Sequence, residues 1–192
     1  MISSARLLRR VLPSVLTLIL ILVVLWLLPY WTLFSIGGAI VDDDPKALGE
    51  RVDFPALRVN LKEQLRDSGP KPKPGENSFA AFGRVFGSKL GEWMVDSVVK
   101  PDTVLLFAKE ALKRSANPEE LKSPWRRALA VVYQGKSGYD DFSTYSYRIP
   151  IEGGEVRFEL KRSGLGWRLT NAVIPPEQLK EIFQKATGRK SP

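Results

Sequence analysis

The side chains most often used for acid–base and nucleophilic chemistry near neutral pH are missing: the sequence has no histidine and no cysteine. Imidazole bases, thiolate nucleophiles and His or Cys metal ligands are therefore excluded, and with them triads of the usual type and nearly all zinc and copper sites. Carboxylates, Lys, Tyr, Ser and Thr remain. Asp42-Asp43-Asp44 offers oxygen to a hard cation, but such ions take several oxygens around a loop, and no acidic residue follows at loop spacing. Helix capping is the expected role, with Asp44 as N-cap ahead of Pro45. Asp140 and Asp141, followed by Phe142, form the best carboxylate pair for general acid–base work. Neighbours in a strand point to opposite faces, so the two share a site only in a turn. Gly138 favours a turn there, and a turn also explains the two acids without catalysis.

The other chemistry open to the chain is apolar binding. Phe79, Phe82, Trp93, Phe158 and Trp167 are the candidate lining of a pocket between helices and sheet, and the same residues would equally fill a core. No catalytic residue, metal ligand or cofactor site is assigned.

Any of these residues must be positioned by a chain whose first segment is set apart. No charged residue occurs between Arg10 and Asp42; Arg6, Arg9 and Arg10 stand before the gap and the three aspartates after it. Roughly 20 apolar residues cross about 30 Å of hydrocarbon as a helix, and Val11 to Phe34 has that length. Basic residues beside a first span stay in the cytoplasm, which places all that follows on the far side. Gly37 and Ala39 imitate a signal cleavage site, but signal cores run about 7 to 15 residues and this one continues through Phe34, so retention is expected. Tyr30 and Trp31 suit the aromatic belt of the outer interface. Pro29 is expected to kink or interrupt the helix, and Leu33, Ile36, Ile40 and Val41 to open the first helix of the outer domain. The expected division is 1–10 cytoplasmic flank, 11–34 anchor, 35–187 outer domain with a Pro/Gly loop at 69–77, and 188–192 tail.

Within the outer domain, Asp53 caps a helix with Leu57, Leu61 and Leu65 on one stripe. Ser78 to Val99 predicts a helix whose apolar side carries Phe79, Phe82, Phe86, Leu90, Trp93, Met94 and Val98. Gly83, Gly87 and Gly91 recur every four residues there, at about 1 kcal/mol each in helix propensity, which suggests close backbone approach. Pro101 starts another helix, and Trp125 to Gln134 reads as either helix or strand. From Thr144 the period becomes two, with turns at Glu152-Gly153-Gly154-Glu155 and Ser163-Gly164-Leu165-Gly166. These give a three-stranded meander with Arg148 facing Glu159, followed by a helix over Glu177 to Ala186. The predicted class is α+β: helices packed on one side of an antiparallel sheet, the meander being joined by a fourth strand if Trp125–Gln134 is extended.

Five Trp and nine Phe argue for a folded domain despite 14 Pro and 15 Gly. The net charge of +8 falls to +5 beyond the basic flank and is spread along the chain, without the basic patch of a nucleic-acid binder.

Three stretches together, Tyr30–Leu48, Val52–Arg58 and Phe158–Pro175 with its Gly164-Leu165-Gly166-Trp167-Arg168-Leu169, resemble a bacterial membrane-anchored family known as domain of unknown function number twenty-nine thirty-nine. The glycine-containing helix running into Val99-Lys100-Pro101 and the Tyr139–Phe142 stretch fit it too. The resemblance implies an inner-membrane anchor and an exported α+β domain, and supplies no catalytic residues. Its element order is also similar to the cystatin-like cone of the nuclear-transport-factor-two superfamily, a looser analogy. The expected role is non-enzymatic: a single-pass domain outside the cytoplasm of a bacterial inner membrane, touching lipid through its first helix and binding an envelope protein. The alternative is a lipid or apolar-ligand module using the aromatic pocket.

Overall fold

The computed structural model describes residues 4–68, 78–115, 135–151, 154–176 and 178. Among them five helices precede four strands: α1 (Ser4–Asp42), α2 (Pro45–Arg51), α3 (Phe54–Ser68), α4 (Ser78–Val98), α5 (Pro101–Ser115), β1 (Lys136–Tyr139), β2 (Thr144–Ile151), β3 (Gly154–Ser163) and β4 (Gly166–Val173). The expected Trp125–Gln134 element and 69–77 loop lie outside the described residues, as does the helix over Glu177–Ala186 apart from Gln178.

The charge-free segment forms one unbroken helix, and Pro29 does not interrupt it. No break marks the expected boundary at Phe34. Burial begins earlier, at half-buried Leu28 and fully buried Pro29, and continues through Thr32, Leu33 and Ala39. The first half of α1 is therefore bare and the second half belongs to the core.

All three aspartates act at the exit of α1. The helix ends at Asp42, Asp43 takes the left-handed conformation at φ 58°, and the Asp44 N–H donates to Ala39 O at 2.9 Å, closing a Schellman-type cap. The Asp44 carboxylate then accepts from Lys46 N–H at 3.0 Å and Ala47 N–H at 2.9 Å, starting α2 as the sequence predicts. Asp53 starts α3 in the same way, its carboxylate accepting from Ala56 N–H at 3.0 Å. Between α2 and α3, Asp53 N–H donates to Leu169 O at 2.8 Å and Val52 forms a single parallel bridge with Leu169, which ties the helical layer to the edge of β4.

Leu57 and Leu61 are buried on α3, with Leu65 half-buried beyond them. The register of α4 differs from expectation. Val95 and Val99 are buried, whereas Leu90 and Trp93 are 48% and 67% exposed. Ion pairs accompany this rotation: Lys62 reaches Asp96 and Arg66 reaches Glu92, at 2.7 and 2.8 Å. The glycine spacing does not mark tight packing. A Cβ at Gly87 would meet nothing within 4 Å, and one at Gly91 would sit 3.8 Å from Leu65 Cδ1, an ordinary contact.

The sheet is antiparallel in chain order β1-β2-β3-β4, and helices followed by this open sheet give the α+β class. The fourth strand is Lys136–Tyr139, immediately ahead of the acidic turn. Arg148 does not face Glu159: Ile151 pairs with Gly154, so Arg148 lies opposite Arg157 and Ser146 opposite Glu159. That pairing moves the register by two residues from the expected one. The like charges are relieved sideways, with Arg157 bound to Glu159 at 2.8 Å and Arg148 to Asp140 at 3.4 Å.

Two cores result. One is mainly aliphatic and gathers Ala39, Leu48, Leu57, Leu61, Val95 and Leu105 from the five helices, with Val52 between α2 and α3, Phe54, Val99 and Ala172 of β4. The other is mainly aromatic, with Tyr145, Tyr147, Leu160 and Trp167 of the sheet beneath Leu33 of α1. Phe158 and Leu169 pack against both.

Candidate membrane interface

From Leu12 to Leu27 the side chains of α1 are exposed, apart from half-buried Leu25. In water so continuous an apolar surface is strongly unfavourable. The helix is long and apolar enough to cross a membrane, a test that a signal sequence also passes.

The helix is clamped where this bare surface ends. The Trp26 and Tyr139 rings stack at 6.5 Å, and the Tyr139 hydroxyl donates to Trp26 O at 2.8 Å. One turn further, Tyr30 meets Tyr145 edge-on at 5.3 Å. Tyr139 in turn packs edge-on against Tyr145 at 5.1 Å and Trp167 at 5.7 Å. The Thr32 hydroxyl lies 3.2 Å from Leu28 O and 3.4 Å from Trp167 O, so it donates within the helix or across to β4. Aromatic pairs of this kind contribute about 0.5–1.5 kcal/mol each beyond area burial.

Burial raises the pKa of Tyr139, Tyr145 and Tyr147 above the ordinary phenol value. The three hydroxyls stay protonated at neutral pH, which suits a structural clamp and not a phenolate nucleophile.

The candidate acids are placed in the turn between β1 and β2. Asp141 Oδ1 accepts from Ser143 N–H at 2.6 Å and from the Ser143 hydroxyl at 2.8 Å, bonds that hold its carboxyl below the usual range. Asp140 accepts from the Ser146 hydroxyl and from Arg148. Each carboxylate is thus spent on local structure. Asp43 pairs with Lys109 of α5 at 2.8 Å. Among the described residues no three His, Cys, Asp or Glu side chains group closely enough to hold a metal ion.

The proposed pocket lining is divided. Trp167 is buried in the aromatic core and Phe158 packs against it, while Trp93 stands on the surface of α4. The side chains of Phe79 and Phe82 lie outside the described residues. Sequence reasoning placed Tyr30 and Trp31 in an interfacial belt but missed the pairing of Trp26 with Tyr139. The available signal was an aromatic at each end of the domain, one leaving the apolar segment and one ahead of the acidic turn; nothing local says that they meet.

Residues 18–106 match the family described as Protein of unknown function (DUF2939). Over that stretch, somewhat less than half of its length, the chain is similar to that family. The match begins inside the bare half of α1, takes in α2, α3 and α4, and ends within α5. It therefore covers the helical layer and the exit from the apolar segment, while the Tyr139–Phe142 and Phe158–Pro175 stretches fall beyond it. No curated protein and no solved structure matches the chain. What the DUF2939 segment contributes physically is a helix with a bare half and a packed half, joined without a break.

Proposed function

We propose that this chain is a single-pass protein of a bacterial inner membrane, with its basic flank in the cytoplasm and its α+β domain outside, and that the domain works by binding an envelope partner without catalysis. The observation that carries this reading is the continuity of α1. Its apolar side chains are bare over 12–27, and the same helix is then locked into both cores. A linker between anchor and domain would let the domain wander; a rigid helix holds it at a fixed height and orientation above the bilayer. Arg6, Arg9 and Arg10 before the span support the orientation. Partner binding is supported by Trp93, Leu106 and Phe107, which stand 67%, 67% and 56% exposed on α4 and α5. The absence of catalysis is supported by Asp140 and Asp141, whose carboxylates are already bonded within their turn.

Alkaline phosphatase fused after Leu65 tests the orientation: the fusion should be active, and an inactive one would overturn the outside placement. Photo-crosslinking from Trp93 and Phe107 in native membranes tests the role. A discrete crosslinked band is the expected result; its absence at both positions under several growth conditions counts against partner binding.

A further inference from the structure

Two turns at one end of the sheet carry an apolar side chain where turns are normally polar. Phe142 in the β1–β2 turn and Leu165 in the β3–β4 turn are each 81% exposed. Their sequence contexts, Asp-Asp-Phe-Ser and Ser-Gly-Leu-Gly, are otherwise those of solvated turns. The turns are joined to one another: Arg162 N–H donates to Ser143 O at 2.9 Å, and the Arg162 guanidinium lies 4.7 Å from the Phe142 ring centre. Phe142 is thus held out on a braced support.

The position of these tips relative to α1 decides what they meet. Phe142 is three residues beyond Tyr139, which touches Trp26, and Leu165 is two residues before Trp167, which touches Thr32. The two turns share one end of the sheet, and the first directly follows the contact with Trp26, where the exposed stretch of α1 ends. That stretch is short for its task. The 16 residues Leu12–Leu27 rise about 24 Å, against about 30 Å of hydrocarbon, and Arg10 allows only Val11 to be added. Because Pro29 and the residues after it are packed in the domain, the shortfall brings the end of the domain down into the interface.

We propose that Phe142 and Leu165 insert into the outer interface of the lipid bilayer beside α1, so that the domain is seated on the membrane at three points. This rests on the tethered reading above. Trp26 and Trp31, both exposed on α1, suit an interfacial aromatic belt. Acidic and basic groups around the tips balance, Asp140 and Asp141 against Lys161 and Arg162, so the seat is apolar and needs no anionic lipid.

The chain has no cysteine, so Phe142→Cys and Leu165→Cys in the full-length protein each create a single labelling site. An environment-sensitive fluorophore is attached, the protein is reconstituted in phosphatidylcholine vesicles, and quenching is read with a doxyl-labelled lipid whose quencher sits near the top of the acyl chain. Val23→Cys in α1 reports on the tether. Phe107→Cys, exposed on α5 two residues from the Lys109 that pairs with Asp43, reports on the opposite end of the domain. Quenching at both turn positions should exceed that at position 107 several-fold. As a second reading, a water-soluble maleimide should modify unlabelled Phe107→Cys several-fold faster than either turn cysteine. If position 23 is quenched while 142 and 165 behave like 107, the seat is overturned and the tether stands. If only one turn is quenched, or protection at the turns requires another protein, the three-point seat is overturned. If position 23 is not quenched, the tethered reading falls and takes the seat with it.

Discussion

The two cores of this domain are built on different terms. The helical core is aliphatic and holds its elements together by small, interchangeable contacts. The core beneath α1 is aromatic, and it carries the Tyr145 and Tyr147 hydroxyls and the Trp167 indole N–H into the interior. The difference teaches what the second core is for. Long rings reach from the sheet to a helix that belongs half to the domain and half outside it, and the polar ends they carry into the interior are a consequence of that reach. The aliphatic core makes a domain; the aromatic core fastens it to α1.

The sharpest way to break this distinction is to cut one core at a time. Trp167→Ala removes a fully buried ring and should cost about 4 kcal/mol, whereas Leu105→Ala in the helical core should cost about 3 kcal/mol. Denaturant midpoints of the full-length protein in detergent give both values. Limited proteolysis separates their consequences: Trp167→Ala should open α1 to cleavage between Trp26 and Leu33, and Leu105→Ala should not. Equal cleavage in the two variants would mean that the cores unfold as one unit and the division has no energetic content.

A second cut tests how tightly the aromatic core is filled. A Cβ on Gly135 would fall 2.6 Å from Arg148 O and press directly on the Tyr147 ring. Gly135→Ala should therefore destabilise by about 2 kcal/mol, the ordinary cost of overpacking, measured by the same midpoints. Gly87→Ala is the contrasting change. Its Cβ would meet open space, and gaining alanine in a helix should stabilise by about 1 kcal/mol.

That contrast shows where the sequence was legible. Caps and strands could be read because their causes are local: Asp44 ahead of Pro45, Asp53 ahead of Phe54, and the alternation from Thr144 to Ile151 all reappear as predicted. The DUF2939 resemblance was legible in the exit from the apolar segment, and the match includes that exit. What failed depended on partners distant in the chain. The rotation of α4 depends on its contacts with another helix, Lys62 and Arg66 of α3 among them, so its own periodicity put Trp93 inside when it is outside. The β2–β3 register turned on which two of four turn residues occupy the bend, a choice of two residues that a Gly-Gly pair leaves open. The clamp on α1 was invisible for the same reason, since 113 residues separate Trp26 from Tyr139.

Smaller perturbations sharpen the contrast through pH. The pKa of Tyr145 is raised above the phenol value, chiefly by burial. Its contribution is fully present below the unfolded value near 10 and is lost as pH rises above it, because only the unfolded chain then releases the proton. Stability of the full-length protein should fall above about pH 10, and Tyr145→Phe should blunt that fall. Near neutrality Tyr145→Phe should change stability by about 1 kcal/mol, the net worth of one hydroxyl's hydrogen bonding.

The helical region has the opposite edge. Glu92 on α4 is held below the ordinary carboxylate range, first by its hydrogen bond from Arg66 and then by nearby positive charge that outweighs its slight desolvation. A depressed carboxyl stabilises above its unfolded pKa, and that contribution is lost as pH falls through the folded value. The Arg66–Glu92 pair lies at the surface, so solvent and salt screen it and its effect should be the smallest of these. Glu92→Gln should leave the alkaline limb unchanged and slightly flatten the acid limb at low salt, with the difference vanishing in high salt. If Glu92→Gln moved the alkaline limb as Tyr145→Phe does, the helical surface and the aromatic clamp would not be the independent regions that their separate residues and contacts describe.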